Sequence, residues 1–209
     1  MKKRGILAIV LFLSLTSAAC YQPVRYSTKD ESFLRQHADK QPWHKVVVLP
    51  FSGDPAFCRA SAEWFTHLVD KRNLFEVVGP AVAEIELGKQ GVRFGDTDIP
   101  VGTAREAGRI LGADGVIVGS LKTSTTERSD IFWGKKIASV SIVDVPTGQV
   151  VAVSTRSDVL TGVNTAAVAL SAAEAVADDL LPVLYALAGR TWTPTRQPKN
   201  QDVKSWGGQ

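Results

Sequence analysis

A chain of 209 residues, 44% hydrophobic and 22% charged, has the composition of an ordinary globular domain with room for a core. Its net charge of +3 comes from the amino-terminal Lys2, Lys3 and Arg4; without them Lys and Arg balance the 21 Asp and Glu residues. A near-neutral body lacks the basic footprint of a nucleic-acid binder, so no nucleic-acid partner is expected.

The chain opens with "MKKRGILAIVLFLSLTSAAC". A basic start, an apolar run from Ile6 to Leu13 and small residues before Cys20 have the three-part layout of a secretory signal. The apolar run is too short for a spanning helix. Residues 1–19 therefore read as a signal peptide. "SAAC" resembles a bacterial lipobox, in which the Cys becomes the lipidated first residue, although Ser17 stands where Leu is usual. Ser17-Ala18-Ala19 also suits an ordinary signal peptidase. The Cys directly after the pattern favours lipidation, and Cys20 is the expected attachment site. Resemblance to lipoprotein sorting patterns, in which Tyr21 rather than Asp follows the Cys, implies the outer membrane of a Gram-negative cell, facing the periplasm. Cys20 and Cys58 are the two cysteines. With lipid on Cys20, Cys58 has no intramolecular disulfide partner. It lies in a helical pattern and reads as a small core hydrophobe.

Residues 20–43, with Pro23 and Pro42 and no sustained periodicity, read as anchor and tether. A domain over 44–189 follows. Val46 to Phe51 is a short Val-rich strand. Asp54 is the natural cap, and Pro55 the natural first residue, of a helix to Asn73, with Phe57, Trp64, Phe65, Leu68 and Val69 on one stripe. "LFEVV" is a second strand. A helix over Ala81–Gln90 stops at Gly91. The polar loop "VRFGDTDIP" leads to a third helix, Val101–Leu111, with Ala104, Ala107, Ile110 and Leu111 inward. "DGVIVGSL" is a central strand. Ile137–Val145 and Gln149–Val159 alternate about "PTG", a hairpin signal. An Ala-rich helix spans Asn164–Ala188, broken or kinked near Pro182. Residues 190–209 read as a flexible tail carrying Trp192 and Trp206 among Arg and Lys. The order β-α-β-α-α-β, then hairpin, then long helix predicts a single α/β domain with a mixed sheet flanked by helices.

Motifs for chemistry are few. "SGDPAF" follows a strand and precedes a helix, as phosphate loops do, yet it has neither phosphate pattern. Pro55 removes an N–H donor, and Asp54 places a negative charge where an anion would sit. Glu63 and His67 share a helix face, but no HExxH pattern completes a zinc site. No Gly-x-Ser-x-Gly elbow occurs. Neither an enzyme nor a cofactor is expected. The hairpin strands give no continuous lipid-facing band, so they read as soluble sheet.

"KVVVLPF", "LFEVVGP", "EIELGKQG", "AREAGRILGADGVIVGSL" and "VSIVDVPTGQVV" occur in one order over Lys45–Val153. That order resembles the curli-secretion lipoprotein family, the CsgG-like group, whose relatives include the penicillin-binding-protein activator LpoB and the amino-terminal domain of TolB. The most specific piece is the turn Gly112-Ala113-Asp114. Gly112 suits a left-handed helix stop, Ala113 a tight corner and Asp114 a turn cap. These are scaffold roles, so the likeness implies a fold more directly than a function. It implies a lipid-anchored, non-catalytic assembly or adaptor component of an envelope export or cell-wall synthesis system, with an envelope protein as partner. The other implied reading is a subunit of a homo-oligomeric export ring or pore, curli-like or for polysaccharide secretion. The "VRFGDTDIP" loop, the hairpin and the tail are the expected contact elements.

Overall fold

The computed structural model describes residues 25–38, 41–53, 55–94, 97–128, 131–161 and 165–193. Cys20, Asp54 and the tail beyond Thr193 lie outside them.

Strand β1 (Arg25–Lys29) and helix α1 (Glu31–Ala38) precede β2 (Lys45–Val48) and the two-residue β3 (Ser52–Gly53). Then come α2 (Pro55–Asp70), β4 (Glu76–Val78), α3 (Pro80–Lys89) and α4 (Val101–Ile110). Three long strands follow, β5 (Gly115–Arg128), β6 (Ile131–Asp144) and β7 (Val150–Thr161), before α5 (Thr165–Leu187), which contains Pro182. The seven-stranded sheet has the order β1-β7-β6-β5-β2-β4, with β3 paired to β5. β2 is parallel to β4 and β5, while β5, β6, β7 and β1 are antiparallel, so the sheet is mixed as expected. Among the described residues, no helix is long and apolar enough to cross a membrane.

Alternation of side chains splits the core in two. Val46, Val48, Ile117, Leu121, Val140 and Ile142 meet α1, α2 and α5 on one face. Val47, Leu49, Val116, Val143 and Val145 meet α3 and α4 on the other. Arg156 locks α5 to the sheet: its Nε and Nη2 donate to Asp179 Oδ2 and Oδ1 at 2.6 and 2.7 Å, and Ser154 Oγ donates to Oδ2 at 3.0 Å.

Three expectations are corrected. The tether reading fails over 25–38: β1 adds to the free edge of β7, and α1 buries Phe33 and Leu34 against the core. The first strand does not run unbroken to Phe51. Its pairing with β4 ends at Val47 and with β5 at Val48, and the chain rejoins β5 two residues past Pro50, where Ser52 faces Ser120. The central strand does not end at Leu121 but continues to Arg128, where it forms a second hairpin with β6.

Candidate functional site

Helices α3 and α4 cover their sheet face only in part. Val116 and Val143 are buried beneath them, but two residues further along β5 and two back along β6 the same face carries Val118, Ser120, Ser141 and Ser139, all half-buried. The loop between α3 and α4 brings Asp98 and Ile99 to this place. Ser52 Oγ donates to Asp98 Oδ1 at 2.8 Å, and Lys122 Nζ donates to Oδ2 at 2.8 Å. The result is a cavity of about 160 Å³ lined chiefly by Ser52, Asp98, Ser120, Ser139 and Ser141, with Val118 on its floor.

The register extends this lining across five strands. Ser52 stands opposite Ser120, Ser120 opposite Ser139, Ser139 opposite Thr155, and Thr155 opposite Tyr26. Every residue in that transverse row carries a hydroxyl. Ser139 Oγ and Thr155 Oγ1 are 2.9 Å apart, so the two share a hydrogen bond and point to the same side. Tyr26 ends the row, 55% exposed.

The Lys122 ammonium, and after it the Ser52 hydroxyl, hold the Asp98 carboxyl below its ordinary value near 3.8. A carboxylate so held is a poor proton acceptor near neutral pH, where a general base must be poised. The cavity also balances one carboxylate with one ammonium. Its lining is polar and rich in hydroxyls.

The sequence-predicted residues lie elsewhere. Gly112, at φ +62, ends α4: its N–H donates to the Arg109 carbonyl, and the Ala113 N–H donates to that of Gly108 at 2.9 Å. Asp114 Oδ2 accepts the His44 and Lys45 N–H groups at 2.6 and 3.0 Å, joining that turn to the start of β2. This corner sits at the first end of β5, away from the cavity. Of the expected contact elements, the structure brings the "VRFGDTDIP" loop, through Asp98, to the hairpin strand β6, through Ser139 and Ser141. Ser52 and Gly53 are strapped to β5: Gly53, at φ +112, lies so close that a Cβ there would clash with the Leu121 carbonyl. The buried Cys58 thiol donates to the Ser52 carbonyl at 3.0 Å. Among the described residues no group of His, Cys, Asp and Glu could hold a metal ion.

The cavity serines were missed because each is an isolated residue on a strand. Only the pairing register, which a single sequence does not print, aligns them.

Against known proteins, the PelC dodecamer structure from Paraburkholderia phytofirmans in one crystal form aligns with 82% of this chain and 100% of that chain, at 15% identity and a TM-score of 0.51. A point variant of that PelC, in a second crystal form, aligns over 81% and 100%, at 16% identity and 0.50. The fold is shared with PelC. The LpoB C-terminal domain from Escherichia coli aligns over 62% of this chain and 95% of that one, at 14% identity and a TM-score of 0.41. No protein-family model and no curated protein matches the chain.

Proposed function

We propose that the chain is an outer-membrane lipoprotein of the bacterial envelope, facing the periplasm. It is a non-catalytic assembly or adaptor component of an export or cell-wall synthesis system. The observation that carries this reading is Cys20 directly after a secretory signal layout. The domain behind it supports the reading, since it shares PelC's fold. The test is metabolic labelling with radioactive fatty acid. Label should enter the wild type and be absent from Cys20→Ser. Label that persists in the variant overturns the lipoprotein reading.

A second reading, a subunit of a homo-oligomeric ring, is favoured by one feature. Helix α3 buries Ala83 and Leu87 on its inner side yet exposes Val82 and Ile85, at 53% and 61%, on its outer side. An apolar pair on the outside of an already docked helix suits a further protein surface. PelC, of like fold, is described as a dodecamer.

A further inference from the structure

We infer that the hydroxyl row and its cavity form a groove for a neutral saccharide chain lying across the strands. The inference rests on the proposed envelope role and names the ligand class of its site. Ser52 is buried and its hydroxyl is held by Asp98, so the accessible row runs from Ser120 to Tyr26, three strand spacings at about 4.8 Å or roughly 14 Å, the length of a short oligomer. The backbone groups of this sheet face are occupied within the sheet, so the face offers side chains only. That disfavours an added peptide strand, which needs a sheet edge. A hydroxyl both donates and accepts, which matches a sugar's own adjacent hydroxyls. The neighbouring row alternates: Thr28 stands opposite Val153, Val153 opposite Ser141, and Ser141 opposite Val118. A floor of alternating hydroxyl and apolar groups fits a ring that shows both C–H and O–H.

The two ends of the groove differ in kind. At one, the exposed Tyr26 ring offers a flat apolar surface with a polar tip. At the other, the side chains of Asp98 and Lys122, 59% and 60% exposed, offer charge-assisted hydrogen bonds of both senses. The charges cancel, so the groove complements an uncharged ligand. Asp98 would repel a phosphate from the same place.

The experiment uses the full chain in detergent and follows backbone amide shifts by NMR. The probes are chitotetraose, cellotetraose and maltotetraose, with inorganic phosphate as a separate arm. At least one tetrasaccharide should shift amides of Ser120, Ser139, Ser141 and Thr155 in a saturable way. Ser139→Ala with Ser141→Ala should weaken it by about tenfold or more, the scale of one or two lost hydrogen bonds. Ser139→Thr, which keeps the hydroxyl, should retain binding. Tyr26→Ala should weaken binding without changing the fold, since Tyr26 is an exposed residue of an edge strand. Absence of binding by all three sugars at about 10 mM overturns the proposal, because a site that weak recognises nothing. So does equal binding by the double Ala variant, or phosphate shifting these amides instead. Fatty-acid labelling of Cys20 is independent of all these results, so loss of the groove leaves the envelope reading to its own test.

Discussion

At the scale of single residues, the turn at Gly112 separates backbone cost from contact cost. Its φ of +62 is a conformation β-branched residues resist, and nothing lies within 4 Å of where a Cβ would stand. Gly112→Val should therefore cost about 1–3 kcal/mol through the backbone alone, and Gly112→Asn much less. Urea melts of the two variants check this; equal midpoints would show that the helix does not stop there in a left-handed residue. Asp114→Ala removes the acceptor of two N–H groups at the start of β2 and should cost about 1–2 kcal/mol. The stop at Gly112 was legible because Gly between a helical and a strand pattern has a local meaning; the Asp114 carboxylate, expected to cap its own turn, instead accepts from His44 and Lys45, 70 and 69 residues away, and that role was not legible. Nor was Asp98, because its partners Ser52 and Lys122 are 46 and 24 residues away. Its pKa is lowered in the folded state, chiefly by Lys122, so its contribution is present above the ordinary value near 3.8 and disappears as pH falls through the lower folded value. For so exposed a pair the effect is small, under about 1 kcal/mol. Asp98→Asn should lower stability slightly at pH 7, and the difference from wild type should vanish at acid pH.

At the scale of elements, the sequence revealed those with strong periodicity or caps. Helices α2, α3, α4 and α5 and the β6–β7 hairpin all stand close to where apolar spacing, Pro and Gly placed them. It hid elements whose stability comes from partners. Strand β1, "RYSTK", has no apolar alternation because it is an edge strand held by backbone pairing to β7. Helix α1 brings Phe33 and Leu34 to the core, too short an apolar stripe to read as a helix from the sequence. The far half of β5, "KTSTTER", lacks the apolar content that marks a buried strand, and reads as loop without its partner β6. The correction to the tether has a direct consequence. Removing residues 25–38 from the mature domain should cost about 3–6 kcal/mol, from two large apolar side chains and an exposed β7 edge. A simple tether would cost nothing, and thermal melting distinguishes the two. The clamp on α5 gives a second test. Asp179 is 6% exposed at its side chain and accepts three hydrogen bonds from β7. Asp179→Ala leaves the Arg156 guanidinium without its carboxylate and should cost about 3–5 kcal/mol. Replacing Arg156 by Met together with Asp179 by Leu should restore much of that loss, because no buried charge is then stranded.

At the scale of the whole molecule, the arrangement is one-sided. The first face of the sheet lies under α1, α2 and α5, whereas the second is covered by α3 and α4 and then gives way to the hydroxyl row. Among the described strands, the sheet also ends in two open edges, β1 on one side and β4 on the other. The α3 pair Val82 and Ile85 lies outside both cores. A surface used head to tail, rather than symmetrically, generates a ring when its rotation closes. The ring reading therefore predicts that the Cys20→Ser chain, free of lipid, forms a discrete multimer by light scattering at about 50 μM, a concentration where a weak interface is populated. Val82→Glu with Ile85→Lys should reduce that mass toward a monomer. The same pair should leave the melting temperature nearly unchanged, since exposed substitutions away from caps and cores shift stability by about 0.5 kcal/mol or less. A Cys20→Ser chain that is monomeric under these conditions, with α3 otherwise intact, excludes the ring. If crosslinked envelopes then yield a different protein bound at α3, the chain is an adaptor whose apolar helix face serves that partner.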